Sequence, residues 1–518
     1  MMPHHAVTTA EATLAAVPEP IANTAVAAAV ARARLAQRDW ANRTPADRAK
    51  VLNRFHRVLY RRRHEVAALV TRESGKPLTD ALGVDVFVAL DAAKWTAGAA
   101  PRFLRKGSGW RQVSGLMFWR KRVRLDKKPL GVIGVIAPWN YPFFLPTACV
   151  LPALACGNAV VLKPSEFTPE SAGVLESLFR EAGLPDGVLQ VVQGDGAVGA
   201  ALVRAGVDKV IFTGSAAAGR KVAVSCAEQL IPCSLELGGS DAAIVLADAD
   251  LQHAADGIVW TRFANAGQTC VAPKRVYVEA PAYEGFVAAL ARAVGDLRVG
   301  PGSDAATEVG PMIHPNAAAL LTAQRDDAIA RGATVAARAS VSAVGAPYFA
   351  PTVLTDVSDD MRVMVEETFG PLLPVVRVSD ADEAVRRAND SKFGLSASVW
   401  TRDRARGLAV ARRLEAGTVL LNDATSVVGM PDVPYGGVKT SGLGRLHGEP
   451  GLEACVQSTP VVDDRFTSWR QPWWFHYDAR HREMIEDFGR VAHGASVWER
   501  LRGVPGLIRL ILTRKGTR

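Results

Sequence analysis

The feature that most restricts the fold lies between positions 132 and 237. Five short β-rich runs, 132–137, 159–163, 188–192, 209–213 and 234–237, alternate there with helical stretches beginning near Pro142, Thr168, Gly196 and Ala216. Strand alternating with helix specifies a parallel, doubly wound sheet, because each parallel pair needs a crossover long enough for a helix. No charged residue lies between Lys128 and Lys163, a length sufficient for a bilayer-spanning helix, but five prolines from Pro129 to Pro152 and the polar Asn140 and Asn158 interrupt it. A buried strand–turn–helix–strand unit accounts for the segment instead.

A second alternating region, through 242–246, a helix from Asp250, 275–279, 286–297, 384–389, 397–400 and 419–421, reads as a second α/β domain. A glycine-rich loop at 436–437 and 441–444 closes it. Ahead of both domains, 21–70 reads as two amphipathic helices and the basic stretch 102–128 as an exposed hairpin or arm. Two or three domains suit 518 residues, and 48% hydrophobic with 22% charged residues excludes a disordered, collagen-like or coiled-coil chain.

The net charge of +9 is concentrated at one end: from Arg465 to Arg518 there are eleven Lys/Arg against five Asp/Glu. With the body near neutrality and no basic stripe or recognition motif, nucleic acid is not an expected partner. Six cysteines (Cys149, Cys156, Cys226, Cys233, Cys270, Cys455) form no C-x-x-C pair and no zinc spacing, so no metal site and a reduced compartment are expected. Glu11 and Glu19 stand where a secretory signal would be basic then apolar, which favours a cytoplasmic location.

Several residues carry chemistry. Gly194-Asp195-Gly196-Ala197-Val198-Gly199 has the dinucleotide spacing, and one strand later Thr213-Gly214-Ser215 opens a second strand–glycine–helix junction able to hold a pyrophosphate on backbone N–H groups. Packing turns would need the same glycines. Cys270, in a polar glycine-containing loop, reads as a nucleophile or an inert thiol. Glu236, ending an apolar strand, reads as a general base with a raised pKa or as a turn cap. Asn140, in the loop after the first sheet strand, reads as an oxyanion donor or a turn asparagine.

Taken together these segments resemble the aldehyde dehydrogenase superfamily. The resemblance runs from about Ile21 to Val462 in consistent order. Its motifs are Pro138-Trp139-Asn140-Tyr141-Pro142, Lys163-Pro164-Ser165-Glu166, Phe212-Thr213-Gly214-Ser215, Glu236-Leu237-Gly238-Gly239, Gly267-Gln268-Thr269-Cys270, Glu367-Thr368-Phe369-Gly370-Pro371 and Tyr435-Gly436-Gly437-Val438-Lys439. It implies a doubly wound cofactor domain (21–110 and 128–236), an α/β catalytic domain (237–432), a β-arm for oligomerisation (111–127 and 433–462) and hence a homodimer or homotetramer. It also implies that Cys270 attacks an aldehyde, that Asn140 and the Cys270 N–H hold the oxyanion, and that Glu236 readies water to hydrolyse a thioester. For the cofactor, it implies Lys163 and Glu166 at the adenine ribose, Trp139, Gly214 and Ser215 near the pyrophosphate, and Glu367 and Phe369 around the nicotinamide ribose and ring. Glu166 would repel a 2′-phosphate, so NAD is expected, with NADP left open by Lys163.

The departures from the family pattern point two ways. Ser240-Asp241 occurs in semialdehyde-oxidising members, whereas Val271-Ala272-Pro273 resembles the fatty-aldehyde branch. Tyr141, Phe143 and Phe144 are candidates for an apolar substrate funnel or for ordinary core. A semialdehyde-specific NADP-dependent enzyme and a non-catalytic scaffold of the same fold remain the alternatives. Beyond the resemblance, 463–518 carries Trp469, Trp473, Trp474 and Trp498. Leu501, Val504, Ile508 and Ile511 recur there at helical intervals among arginines, with Pro505 and Gly506 interrupting the period. This extension suits peripheral contact with anionic lipid, or packing on the protein itself or on a neighbouring subunit.

Overall fold

The computed structural model describes residues 19–115, 118–341, 347–465, 471, 474–475 and 477–512. They form two compact units, one comprising the chain up to 103 with 129–456, the other 104–128 with the chain after 456.

In the larger unit a six-stranded sheet has the order Gly442–Leu443, Cys233–Glu236, Lys209–Thr213, Val132–Ile136, Ala159–Lys163, Leu189–Val191. All neighbours are parallel except the edge strand Gly442–Leu443. Val132–Ile136 and Ala159–Lys163 are buried at every position, which explains their unbroken apolar runs. From Val132–Ile136 the chain winds outward through Ala159–Lys163 and Leu189–Val191, then crosses back to lay Lys209–Thr213 on the other side. Between those two central strands the winding direction reverses, and the loops at their carboxyl ends part to leave a crevice. Those loops carry Trp139, Asn140, Gly214 and Ser215.

The second sheet has seven strands in the order Thr334–Arg338, Thr352–Thr355, Leu372–Val378, Pro273–Glu279, Asp241–Val245, Ser396–Trp400, Thr418–Leu421. It surrounds the larger apolar core. Three of its strands and the helix Pro315–Ala330 are additional to those read from the sequence. Thr334–Arg338 is a largely exposed edge strand, and Leu372–Val378 contains Pro374, a residue that ordinarily argues against an interior strand.

The segment 21–70, expected to form two helices, lies in three: Glu19–Asn42, Pro45–Arg61 and Arg63–Ser74. Thr44 caps the second, its hydroxyl accepting from Asp47 N–H at 3.1 Å, with Pro45 at the first helical position. The third begins after a single non-helical residue, Arg62, at φ −95° and ψ 12°. Neither glycine nor proline marks that break. Further on, a π-helical turn, Ala81–Phe87, brings Asp85 inside. Its carboxylate pairs with Lys76 Nζ at 2.7 Å, both side chains fully buried, and accepts from Phe143 and Phe144 N–H at 3.2 Å. Lys76 Nζ also donates to the Asn140 carbonyl at 2.7 Å. The pair thereby fixes the loop after the first strand, and the helix Phe144–Ala155 starts there rather than at Pro142.

In the smaller unit, Arg111–Gln112, Lys121–Pro129 and Val456–Asp464 form a three-stranded sheet, laced by Lys121–Asp464 at 3.0 Å and Arg122–Asp463 at 2.7 Å. Of the residues expected in an arm, Val456–Asp464 joins this sheet, whereas Tyr435 and its neighbours belong to the larger unit. Helices Ala479–His493 and Val497–Leu512 pack on each other through Gly503 and Gly506, which sit against Asp487 where a Cβ would collide. The expected interruption at Pro505 and Gly506 does not occur: the helix continues through Pro505. Trp498, Leu501 and Ile508 face outward. Trp469, Trp473 and the Ile511 side chain lie outside the described residues. Among the described residues, no helix is long and apolar enough to cross a membrane.

Replacing Asp85 by Ala strands the Lys76 ammonium without its counter-charge. The expected loss is about 3–5 kcal/mol of unfolding free energy, measured by urea denaturation; a loss below 1 kcal/mol would show the pair to be dispensable.

Candidate active site

The helix Leu251–Phe263 leads into a 3₁₀ turn, Ala264–Gly267, where Asn265, Ala266 and Gly267 take φ values of 52°, 53° and 72°. Left-handed backbone costs a non-glycine residue about 1–3 kcal/mol and persists only where its surroundings enforce it. Here Asn265 Nδ2 donates to the Asn140 carbonyl at 2.9 Å, Gln268 Nε2 to the Asn265 carbonyl at 3.0 Å, and Ile313 N–H to Gln268 Oε1 at 2.9 Å. Gly267 has no alternative, since a Cβ there would lie 2.5 Å from the Gly370 carbonyl carbon. The turn delivers Cys270 just ahead of the buried strand Pro273–Glu279. Lys274, fully buried in that strand, donates Nζ to the carbonyls of Thr269 at 3.0 Å, Cys270 at 2.5 Å and Ala272 at 3.4 Å.

Cys270 opens onto a cavity of about 350 Å³, which Glu236 and Asn140 also line. Glu236 is the last residue of its strand and Asn140 sits in the loop beyond the adjoining central strands, so the cavity occupies the crevice where the winding reverses. Trp139, Gly214, Ser215, Glu367 and Phe369 complete one side of it. Lys163 and Glu166 do not reach this cavity. They pair with each other at 3.1 Å at the carboxyl end of the next strand. The Gly194 turn is also apart from it: Asp195 caps the helix Gly196–Arg204 by accepting from Ala197 N–H at 2.9 Å.

Burial dominates the electrostatics. Both Glu236 carboxyl oxygens are buried without a partner, and the acid is pushed well above the usual carboxylate range, with Arg445 opposing weakly. Burial also pushes the Cys270 thiol up to about 11, against the lowering influence of the Tyr435 hydroxyl, 3.4 Å from Sγ, and of Lys274. Asn140 Nδ2 donates one hydrogen to the Gln268 carbonyl at 3.0 Å, which orients the amide and leaves its second hydrogen for another acceptor. Glu367, also raised by burial, accepts from Gly239 N–H at 3.0 Å. A Cβ at Gly238 would meet the Glu367 carboxylate, so a larger residue there would displace that side chain.

Tyr141, Phe143 and Phe144 are core rather than funnel. Tyr141 OH shares a hydrogen with Thr269 Oγ1 at 2.7 Å, Lys76 Nζ lies 4.1 Å from its ring centre, and none of the three lines the cavity. The next turn of that helix supplies Leu145 and Ala148 instead. Lys274 and Lys76 are contributors that were not singled out from the sequence, and Tyr435, which opens one of the family motifs, was given no role there. The one available signal was Lys274-Arg275 opening an otherwise apolar strand beside the cysteine loop.

The residues present fit a nicotinamide dinucleotide. Gly214-Ser215 precedes the 13-residue helix Ala216–Glu228, whose first turn offers backbone N–H groups to a pyrophosphate, and Trp139 meets Phe369 edge-on at 5.6 Å across the same cavity. Among the described residues no group of three or more His, Cys, Asp and Glu side chains could hold a metal ion.

A family model described as the aldehyde dehydrogenase family matches residues 6–461. A 4,4'-diapolycopene aldehyde oxidase of Methylomonas sp is 38% identical over 450 residues, covering 87% of this chain and 83% of the relative. A succinate-semialdehyde dehydrogenase (NADP(+)) of Escherichia coli is 38% identical over 428 residues, covering 82% and 87%. The crystal structure of a Mycobacterium tuberculosis aldehyde dehydrogenase complexed with NAD+ superposes with a TM-score of 0.79 at 35% identity, covering 85% of this chain and 90% of that one.

With its thiol raised, Cys270 is mostly protonated at neutral pH. Its alkylation by iodoacetamide, followed by peptide mass spectrometry, is expected to accelerate about tenfold per pH unit from 7 to 10; a plateau below pH 9 would contradict the burial effect.

Proposed function

The chain belongs to the aldehyde dehydrogenase family, and we propose that Cys270, Glu236 and Asn140 carry its oxidation of an aldehyde to a carboxylic acid with reduction of NAD(P). The observation that carries this assignment is one cavity lined by a thiol, a buried unpartnered carboxyl group and an oriented amide, beside a helix N-terminus suited to a dinucleotide.

Cys270 Sγ passes its proton to water and bonds to the aldehyde carbon, the carbonyl π pair moving onto oxygen. The oxygen of the resulting thiohemiacetal gains negative charge and accepts from the free Asn140 amide hydrogen and the Cys270 N–H. NAD(P), when bound, supplies the hydride acceptor. Once hydride has left, the acyl group stays on Cys270 as a thioester. Glu236, at the far end of its strand and without a hydrogen-bond partner, takes a proton from water, the hydroxide adds to the thioester carbonyl, and the Cys270 thiolate departs. Because burial raises the Glu236 carboxyl above the usual carboxylate range, this last step gains as pH rises through that elevated pKa. Glu236 also argues against transfer of the acyl group to coenzyme A, which needs no water-activating base. Glu166, paired with Lys163, supports NAD over NADP by its charge toward a 2′-phosphate.

We assign the six-stranded layer (21–110 and 128–236) to cofactor binding and the seven-stranded layer (237–432) to catalysis. The ion-paired three-stranded sheet is assigned to assembly as a homodimer or homotetramer. Six free cysteines support a reducing, cytoplasmic setting. The outward Trp498, Leu501 and Ile508, flanked by Arg502 and Arg509, support peripheral contact with anionic lipid through residues 463–518.

With NAD and an aldehyde, the protein is expected to generate absorbance at the NADH wavelength, C270A none, and N140A turnover lower by about 10²–10³-fold. E236Q should give a burst near one NADH per site followed by slow release; steady wild-type-like turnover would remove Glu236 from the mechanism. In flotation with phosphatidylglycerol vesicles, full-length protein should rise with the lipid and a chain ending at 462 should not; equal recoveries would refute the lipid contact.

A further inference from the structure

We propose that the substrate is an uncharged aldehyde with an apolar chain, and that ω-carboxylated aldehydes are rejected. This rests on the assignment of Cys270 as the nucleophile and of the Trp139–Phe369 side of the cavity to the cofactor. Six of the other lining residues, Leu145 and Ala148 from the helix Phe144–Ala155, Val428 from the 3₁₀ turn Ser426–Gly429, and Tyr435, Leu446 and His447, are assigned to the body of the aldehyde.

None of the six carries charge at neutral pH. His447 is the only titratable base among them, and burial pushes its imidazole down to about 4, so it enters the wall as a neutral ring. That ring lies 5.6 Å from Tyr435 and 6.3 Å from Phe144, centre to centre, an aromatic surface rather than an anion receptor.

The cations near the site are committed elsewhere. Lys274 holds the carbonyls of 269, 270 and 272; Lys76 holds Asp85 and the Asn140 carbonyl; Arg445 donates Nη1 to the carbonyls of Gly437 at 3.0 Å and Gly444 at 2.7 Å. Among the described residues, no lysine or arginine lines the cavity, and its two carboxyl groups, Glu236 and Glu367, offer a second carboxylate no counter-charge. An anion moved from water into such a wall loses its hydration with nothing to replace it, whereas each methylene is favoured. The apolar residues thus define a specificity the catalytic trio cannot.

The test compares kcat/KM of the purified full chain, with NAD and NADP each supplied, for 4-oxobutanoate, its methyl ester, propanal and hexanal. The ester has the length of the acid without its charge. It is expected to exceed the acid by about a hundredfold or more, and hexanal to exceed propanal by about tenfold or more. An acid turned over as well as its ester, by an enzyme active on both, would overturn the substrate class while leaving aldehyde oxidation intact. Absence of both NADH and NADPH with all four would overturn the parent assignment and this one together. Val428→Arg, which sets a cation at the cavity wall, should narrow the ester-to-acid ratio at least tenfold. Retained ester turnover with an unmoved ratio would show that the aldehyde chain does not lie on this side.

Discussion

Lys274 Nζ donates to the carbonyl oxygens of Thr269, Cys270 and Ala272 in a place closed to solvent, and the shape of the cysteine loop follows from that. A buried ammonium keeps its charge only where hydrogen-bond acceptors surround it, and here the acceptors are the backbone of the loop itself. Three successive left-handed residues, 265–267, lie immediately upstream, a geometry the loop would relax if it were free. Lys76 acts alike on the facing loop, gripping the Asn140 carbonyl while Asp85 balances its charge. Two sealed ammonium groups thus hold the thiol-bearing loop and the amide-bearing loop, and Asn265 ties one to the other through the Asn140 carbonyl.

The same dryness that makes those interactions strong favours the neutral forms of the proposed nucleophile and base. Cys270 and Glu236 are both raised by burial, and Glu236 has no partner to offset it. An orphaned carboxyl group is a cost that folding tolerates at a site with a chemical use for it. The arrangement suits a reaction in which charge develops stepwise: on oxygen beside the Asn140 amide, then on water beside Glu236. Shielding from bulk water also protects a thioester until the acid is ready to act on it.

Much of this could be read from the residues alone, and the exceptions have physical reasons. Apolar runs such as 159–162 are legible because parallel sheets are buried on both faces, whereas Cys270, Glu236 and Asn140 each kept a structural reading until the family resemblance joined them. Lys76 and Lys274 were not legible, since a lysine that satisfies backbone carbonyls looks in sequence like any surface lysine. Tyr435 reaches Cys270 across 165 residues, a contact that only the return of Gly442–Leu443 to the edge of the first sheet creates. Tyr141, Phe143 and Phe144 take the core side of the two readings open for them, since aromatic residues beside such a loop pack as readily into core as into a funnel. Pro505 was read as an interruption, yet it sits inside a helix that its neighbours sustain.

The central claim is that the carbon undergoing oxidation is bonded to Cys270 while it changes state. Rapid acid quench of the enzyme during turnover of a saturated aldehyde with NAD, followed by digestion and tandem mass spectrometry, tests this directly. The mass of the substrate acyl group is expected on Cys270 and on none of the other five cysteines. Active turnover with Cys270 unmodified throughout, or with the acyl group on another residue, would contradict it.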